Sequence, residues 1–447
     1  MPSSCYSYLD SVRLLRSPMV LIGVGLALVL IGGFGFTSIV TRAVPDSNTV
    51  AAVTSLYFLV NTLALGVFSG VELEMSRSVS QERTLGNPIR PVAHSVARQA
   101  TRLWLLAAVI LLAVSPILVS GPLRGHWELA AELMLSLVAA LFSAVVRGAL
   151  AGSQRFGFYS ATMAAEGLSR LLPCVVLYAV GVDAGWVYGL VFALGHMFSA
   201  LVGVLLIWLS GLRGWHRIEP GTVLPKIGGQ GAIRFGLSTA LLLVVLANSA
   251  NQGIVNLPPV IVNHRLISDT ATAVGLAVML TRLPMFAVMP LQTMLLPRLT
   301  ASAARGDLGG VRKQNLRTVA VCVVLGLIGI VVLATAGPTL LSIYQGRPAE
   351  LSATTMAGLG VGTLFLTAMN ITQPALLALS RHRAVLVSYL SGLAAMVVAA
   401  VLPIDPIASV VLSASAGPIV ASIVMAVVLF RATSDAAVVP NLQKTAS

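Results

Sequence analysis

The chain has little of what disulfide-bonded, metal-binding or catalytic proteins depend on. Its 447 residues include three cysteines, Cys5, Cys174 and Cys322, too few and odd in number for a disulfide framework. The six histidines are scattered without metal-ligand spacing, and no phosphate-cradling Gly-Lys-Ser/Thr loop or Ser-His-Asp arrangement is present. Charged residues make up only 10% of the chain, and acidic ones number 15. No catalytic residue, cofactor or bound metal is therefore expected. A composition so poor in charge describes packed or lipid-solvated helix.

What the chain has is apolar length: 57% of residues are hydrophobic and the mean hydropathy is +0.92. Windows of about 20 residues, enough to cross a roughly 30 Å hydrocarbon core, place spans near 18–41, 50–71, 102–122, 129–151, 158–182 and 186–210. Six more follow near 236–262, 270–296, 318–343, 354–379, 384–403 and 407–430. The first run is too long for a signal peptide and lacks a small-residue cleavage site, so it reads as a retained helix. Twelve spans put both termini on one side of the membrane.

The positive-inside rule tests that layout. Only Arg42, Arg124, Arg265 and Arg347 of the 28 Lys and Arg fall in the turns opposite the termini. Arg147, Arg170 and Arg282 fall within spans, and all the others lie on the side of the termini. The expected topology is thus a multi-pass cell-membrane protein with both termini cytoplasmic. The net charge of +13 follows from that topology and an anionic inner leaflet, and no nucleic-acid partner is expected. The opposite turns, such as 44–49, 182–186 and 402–406, are too short for a folded domain. Asp46, Asp183, Asp269 and Asp405 are isolated in them. This weighs against a membrane glycosyltransferase and makes movement across the membrane the leading class.

The chain also looks duplicated. The basic exit Glu72-Leu-Glu-Met-Ser-Arg77 corresponds in placement to Thr293-Met-Leu-Leu-Pro-Arg298, an offset of 221 residues. The segment Arg147-Gly-Ala-Leu-Ala-Gly-Ser-Gln-Arg155 corresponds to Gln373-Pro-Ala-Leu-Leu-Ala-Leu-Ser-Arg381, an offset of 226. Six spans per copy make the repeats parallel, related by an axis along the membrane normal. The expected fold class is all-α: a six-helix lobe over 1–210, a basic cytoplasmic connector over 211–235, a second six-helix lobe over 236–430 and a cytoplasmic tail over 431–447.

The run Gly275-Leu-Ala-Val-Met-Leu-Thr-Arg282-Leu-Pro284, with Leu295-Leu-Pro297-Arg298 and Ala304-Arg-Gly-Asp307, resembles the eighth helix and exit loop of the multidrug/oligosaccharidyl-lipid/polysaccharide exporter superfamily. The segments Arg147-Gly-x-Leu-x-Gly-x-x-Arg155 and Glu166-Gly-Leu-Ser-Arg170 extend the likeness. It is nearest to the polysaccharide and O-antigen-type flippases and more distant from the lipid II flippase. The resemblance implies export of a polyprenyl-pyrophosphate-linked sugar or oligosaccharide from inner to outer leaflet by alternating access. Twelve spans rather than fourteen, and a first span without basic residues, depart from the lipid II flippase. The first span also lacks the acidic residue common in cation-coupled drug exporters.

Several polar residues inside spans are candidates for the transport site. Arg282 lies well inside the eighth span, where an ionised guanidinium needs a partner or water. A pyrophosphate suits its bidentate fork, while a permanent salt bridge or bonds to backbone carbonyls explain it otherwise. Glu166 and Arg170 share one face of the fifth span, either as a structural pair or with Arg170 released to phosphate and Glu166 carrying a proton. Glu166 reads as the only deep carboxylate, and Arg147 reads as an anchor that snorkels to the head groups. Glu72 and Glu74 close the second span beside Arg77, as an interfacial ion pair or as a gate with Arg298.

Asn248, Asn251, Gln252 and Asn256 recur at helical spacing on the seventh span, as sugar-binding amides or as interhelical glue. Pro258 and Pro259 then interrupt that helix and free carbonyls. Glycines at 23, 25, 32, 33 and 35 suit either a bending first helix or tight packing. His196 reads as a packed, neutral residue. The expected partners are the lipid-linked glycan, membrane lipids and cytoplasmic glycosyltransferases. Two rival readings stand beside the flippase: a multidrug or cation antiporter, and a non-transporting scaffold that recruits glycosyltransferases through its basic loops.

Overall fold

The computed structural model describes residues 18–210, 239–348 and 351–444. They form α-helices joined by short turns, with one 3-10 turn and no strand among the described residues. The helices are α1 (Pro18–Ala43), α2 (Ser47–Thr84), α3 (Ile89–Ser120), α4 (Trp127–Gly152), α5 (Phe156–Ala179), α6 (Gly185–Leu209) and α7 (Thr239–Val262). They continue with α8 (Ser268–Thr281), α9 (Leu283–Ala304), α10 (Leu308–Gln345), α11 (Ala353–Ala378), α12 (His382–Val401) and α13 (Pro406–Lys444). Among the described residues, ten helical segments are long and apolar enough to cross a membrane. The expected connector 211–235 lies outside the described residues.

Several helices run far past their apolar windows, α2 and α10 among them. At 38 residues each, α2 and α10 are about 57 Å long. Each extra length is polar: α2 continues through Glu74, Arg77 and Arg83, and α10 begins with Arg312, Lys313 and Arg317. Backbone hydrogen bonds persist there because nothing in the sequence breaks the helix before Gly86 or after Gly306, both at positive φ. At the other end of α2, Asp46 caps the helix by accepting from the amides of Asn48 and Thr49. Those bonds and the Thr49 hydroxyl, its strongest influence, hold the Asp46 carboxyl below its ordinary value.

The chain divides into two compact units, Met1–Asn248 and Ser249–Ser447. The division falls within α7, later than the expected connector. The first ten residues of α7 count with the first unit, where Val245 sits against Gly70.

In the first unit, α1 packs along α5, α2 along α4, and α6 against α4 and α5. The α1–α5 contact explains two glycines physically. A Cβ on Gly167 would lie 2.1 Å from the Leu28 carbonyl oxygen, and one on Gly32 would lie 2.4 Å from the Gly167 carbonyl oxygen. The backbones therefore meet only because both side chains are hydrogen. Tight packing accounts for Gly32, whereas a Cβ on Gly23 would meet nothing within 4 Å. In the second unit, α11 lies between α10 and α13, and α12 packs on α13.

Candidate functional site

Among the described residues the spans hold two polar clusters, one in each unit. The first is a buried charge network contributed by α2, α4, α5 and α6. Thr162, Glu166 and Arg170 recur every four residues, so α5 presents them on one face. Glu166 is 2% exposed and lies between two guanidiniums. Its Oε2 is 2.6 Å from Arg147 Nη2 and its Oε1 is 2.8 Å from Arg170 Nη1. Arg147 also donates to the Thr162 hydroxyl and carbonyl, at 3.3 and 3.2 Å.

Arg170, likewise 2% exposed, stacks over the Phe192 ring at 4.3 Å, and Phe192 is itself stacked on Phe36. Gly195 makes room for its stem, since a Cβ there would lie 2.5 Å from Arg170 Nε. His196 closes the cluster. Arg170 Nη2 lies 3.2 Å from His196 Nε2. A guanidinium only donates, so Nε2 accepts and the ring proton sits on Nδ1, 3.2 Å from Glu166 Oε1 though not aligned as a hydrogen bond. His196 is thus packed and neutral. At the margin, Tyr159 donates to Glu72 Oε1 at 2.7 Å, and Glu72 interacts electrostatically with Arg147. Two arginines then face two carboxylates.

This arrangement corrects the reading of Arg147. It is 8% exposed and points into the unit rather than to head groups, because α4 packs closely enough on its neighbours for the short route to Glu166 to win over the long route to water. Glu166 is also not the only deep carboxylate. Glu132 on α4 is 5% exposed, its Oε2 has no hydrogen-bond partner, and that atom abuts the site where Gly189 lacks a Cβ. Its acidic character within an apolar span was the signal in the sequence.

The second cluster centres on Arg282. The eighth span is not one helix. It breaks between α8 and α9, and Arg282 is the junction residue, with φ −87° and ψ −8°. Pro284 follows in the first turn of α9 and has no N–H to continue the ladder.

Facing it, Pro259 in α7 likewise has no N–H, so the Val255 carbonyl four residues earlier lacks its helical donor. Arg282 Nη2 supplies a donor to that carbonyl, while Nη1 donates to Asn256 Oδ1 at 3.1 Å. Asn256 in turn donates to Gln252 Oε1 at 3.0 Å. The free space beside Arg282, Thr281 and Thr363 is about 10 Å³.

The other seventh-span amides are distributed differently. Asn248, in the first unit, donates to Ser69 Oγ at 3.0 Å, and Asn251 Oδ1 is buried without a hydrogen bond. Glu74 pairs with Arg77 one turn along α2, at 2.8 Å. Arg298, in the second unit, is exposed. Among the described residues no group of His, Cys, Asp and Glu has the geometry to hold a metal.

Compared with solved structures, this fold is that of the MATE transporters of the MOP superfamily. An inward-facing multidrug resistance MATE family transporter aligns with a TM-score of 0.65 at 12% identity, covering 94% of this chain and 98% of that one. An outward-facing one aligns at 0.60 with 17% identity, over 95% and 98%. A MOP superfamily transporter from Pyrococcus furiosus, described as having a binding pocket of reversed polarity that suggests a different function, aligns at 0.61 with 15% identity, over 95% and 98%. In sequence, an uncharacterized protein of Mycobacterium tuberculosis strain H37Rv is 27% identical over 372 residues, 80% of this chain and 79% of that one. No family model matches the chain.

Proposed function

We propose that the protein is a membrane transporter working by alternating access, and that it moves a polyprenyl-pyrophosphate-linked sugar or oligosaccharide from the inner to the outer leaflet for cell-envelope polysaccharide synthesis. The observation that carries this reading is the connected chain Arg282–Asn256–Gln252 at the helix interruption. A guanidinium fork matches phosphate oxygens, and the adjoining carboxamides offer donors and acceptors to sugar hydroxyls. The 10 Å³ beside Arg282 holds at most one water, so a phosphate enters only in a second conformational state, as alternating access requires. Arg170 is committed to Glu166 and Phe192, which favours a role in holding the first unit together.

The test is deletion of the gene followed by mass spectrometry of the polyprenyl-linked sugars in each leaflet. One such glycan accumulates on the inner side, and Arg282→Ala, although inserted in the membrane, fails to clear it. Normal export by Arg282→Ala would remove that residue from the mechanism. A second reading, a multidrug or cation exporter, is favoured by the unpartnered Glu132 carboxylate and by the fold shared with multidrug transporters. It is preferred if deletion causes no glycan to accumulate but lowers drug resistance, and if Glu132→Gln reproduces that loss.

A further inference from the structure

Outside both clusters, the start of α10 carries an unexplained concentration of charge. Gly309, Arg312, Lys313, Leu316, Arg317 and Ala320 line an open groove of about 510 Å³. Their spacing of three and four places them on one helical face. Among the described residues no ion pair engages the three cations. Arg312 instead lies over the ring of Phe430 on α13, 5.2 Å from its centroid, which fixes the guanidinium at the groove wall. The nearby Asp307 is turned onto the Gly310 amide as the helix cap, 2.7 Å away, so its carboxylate occupies the helix terminus rather than the cations.

The same face then becomes apolar. Val324, Leu327 and Val331 continue the stripe and are 52–62% exposed. From Arg317 to Val331 the stripe is about 21 Å long, close to the depth of one leaflet. Only 11% of the apolar window of α10 is buried, an exposed apolar surface of the kind that suits lipid.

We propose that this face is a binding site for an anionic diacyl phospholipid, its phosphate held by Arg312, Lys313 and Arg317 and its acyl chains lying along Val324–Val331. A free anion or an acidic peptide would use the cations and leave the apolar stripe unused. A basic groove continuous with an exposed apolar stripe matches a molecule whose charge and chains are joined. The site is independent of what the transporter carries.

The experiment uses the full-length protein, delipidated in detergent and titrated with phosphatidylglycerol or phosphatidylcholine while bound lipid is counted by native mass spectrometry. Phosphatidylglycerol binds preferentially. Each cation near an anionic head group contributes about five-fold, so Arg312→Gln/Lys313→Gln/Arg317→Gln loses on the order of a hundred-fold in affinity. The charge-matched control Arg90→Gln/Arg98→Gln/Arg102→Gln on α3 keeps the wild-type affinity. A photoactivatable phosphatidylglycerol added to the unmutated protein labels α10 peptides between 309 and 331, which needs no variant to fold. Equal binding of the two lipids, undiminished binding by the α10 triple variant, or labelling elsewhere would overturn the proposal. So would saturation by inorganic phosphate alone, or binding of polyprenyl phosphate to the exclusion of phosphatidylglycerol, which would make the groove an anion or substrate surface.

Discussion

Replacing Glu166 with glutamine takes the negative charge from between two guanidiniums that approach it to 2.6 and 2.8 Å. Arg147 and Arg170 are 8% and 2% exposed, so neither turns to water when the carboxylate is lost. Removing one partner of a buried ion pair costs about 3–5 kcal/mol, because the remaining charge stays desolvated. In a folded unit of about 200 residues each kcal/mol lowers the melting temperature by about 2–4 °C. Glu166→Gln is therefore expected to lower it by on the order of 10 °C, read by heating the detergent-solubilised protein and following the monodisperse fraction on gel filtration. Replacing the Glu166-centred triad behaves differently: Arg147→Met/Glu166→Leu/Arg170→Met leaves neither guanidinium without a carboxylate, Glu72 keeps the bond from Tyr159, and most of the loss is recovered. Two results refute the reasoning. One is a Glu166→Gln protein melting within about 2 °C of wild type; the other is a triple variant as unstable as the single one.

Two further outcomes follow from single contacts. Arg282→Ala leaves the Val255 carbonyl without a donor and lowers stability by about 1–3 kcal/mol. Adding Pro259→Ala restores the helical N–H four residues on, so the double variant melts above Arg282→Ala, and equal melting would refute the capping role. Asp46→Ala removes a helix cap at a cost of about 1 kcal/mol. Because the folded carboxyl titrates below its ordinary value of 3.8, that stabilisation is complete above about pH 4 and fades as pH falls through the folded value. The melting gap between wild type and Asp46→Ala should therefore close on acidification, and a gap constant down to pH 3 would contradict it.

Much of the candidate site was legible in part. Glu166 and Arg170 stand out because charge inside a span is rare and their spacing places them on one face. Arg282 and the double proline stand out for the same kind of local reason. Their partners were not legible. Arg147 reads as snorkelling until α4 is seen against α5, and Glu132 passes unnoticed until Gly189 is seen beside it. The four amides of α7 share a helical spacing, yet Asn256 turns to Arg282 and Asn248 to Ser69, because a helix packed on several sides offers each residue a different neighbour.

The sequence by itself determined the spans and the all-helical class. Hydropathy sums over about 20 consecutive residues and needs no knowledge of what the helix touches. Tertiary structure alone decided how the buried charges are matched. Glu166 joins residues 19 positions before it and 30 after it to its own helix face, and such pairing depends on distances between helices. It also decided that the eighth span breaks at Arg282. Pro284 weakens the helix there, but the junction is held by an oxygen that Pro259 leaves without a donor on another helix.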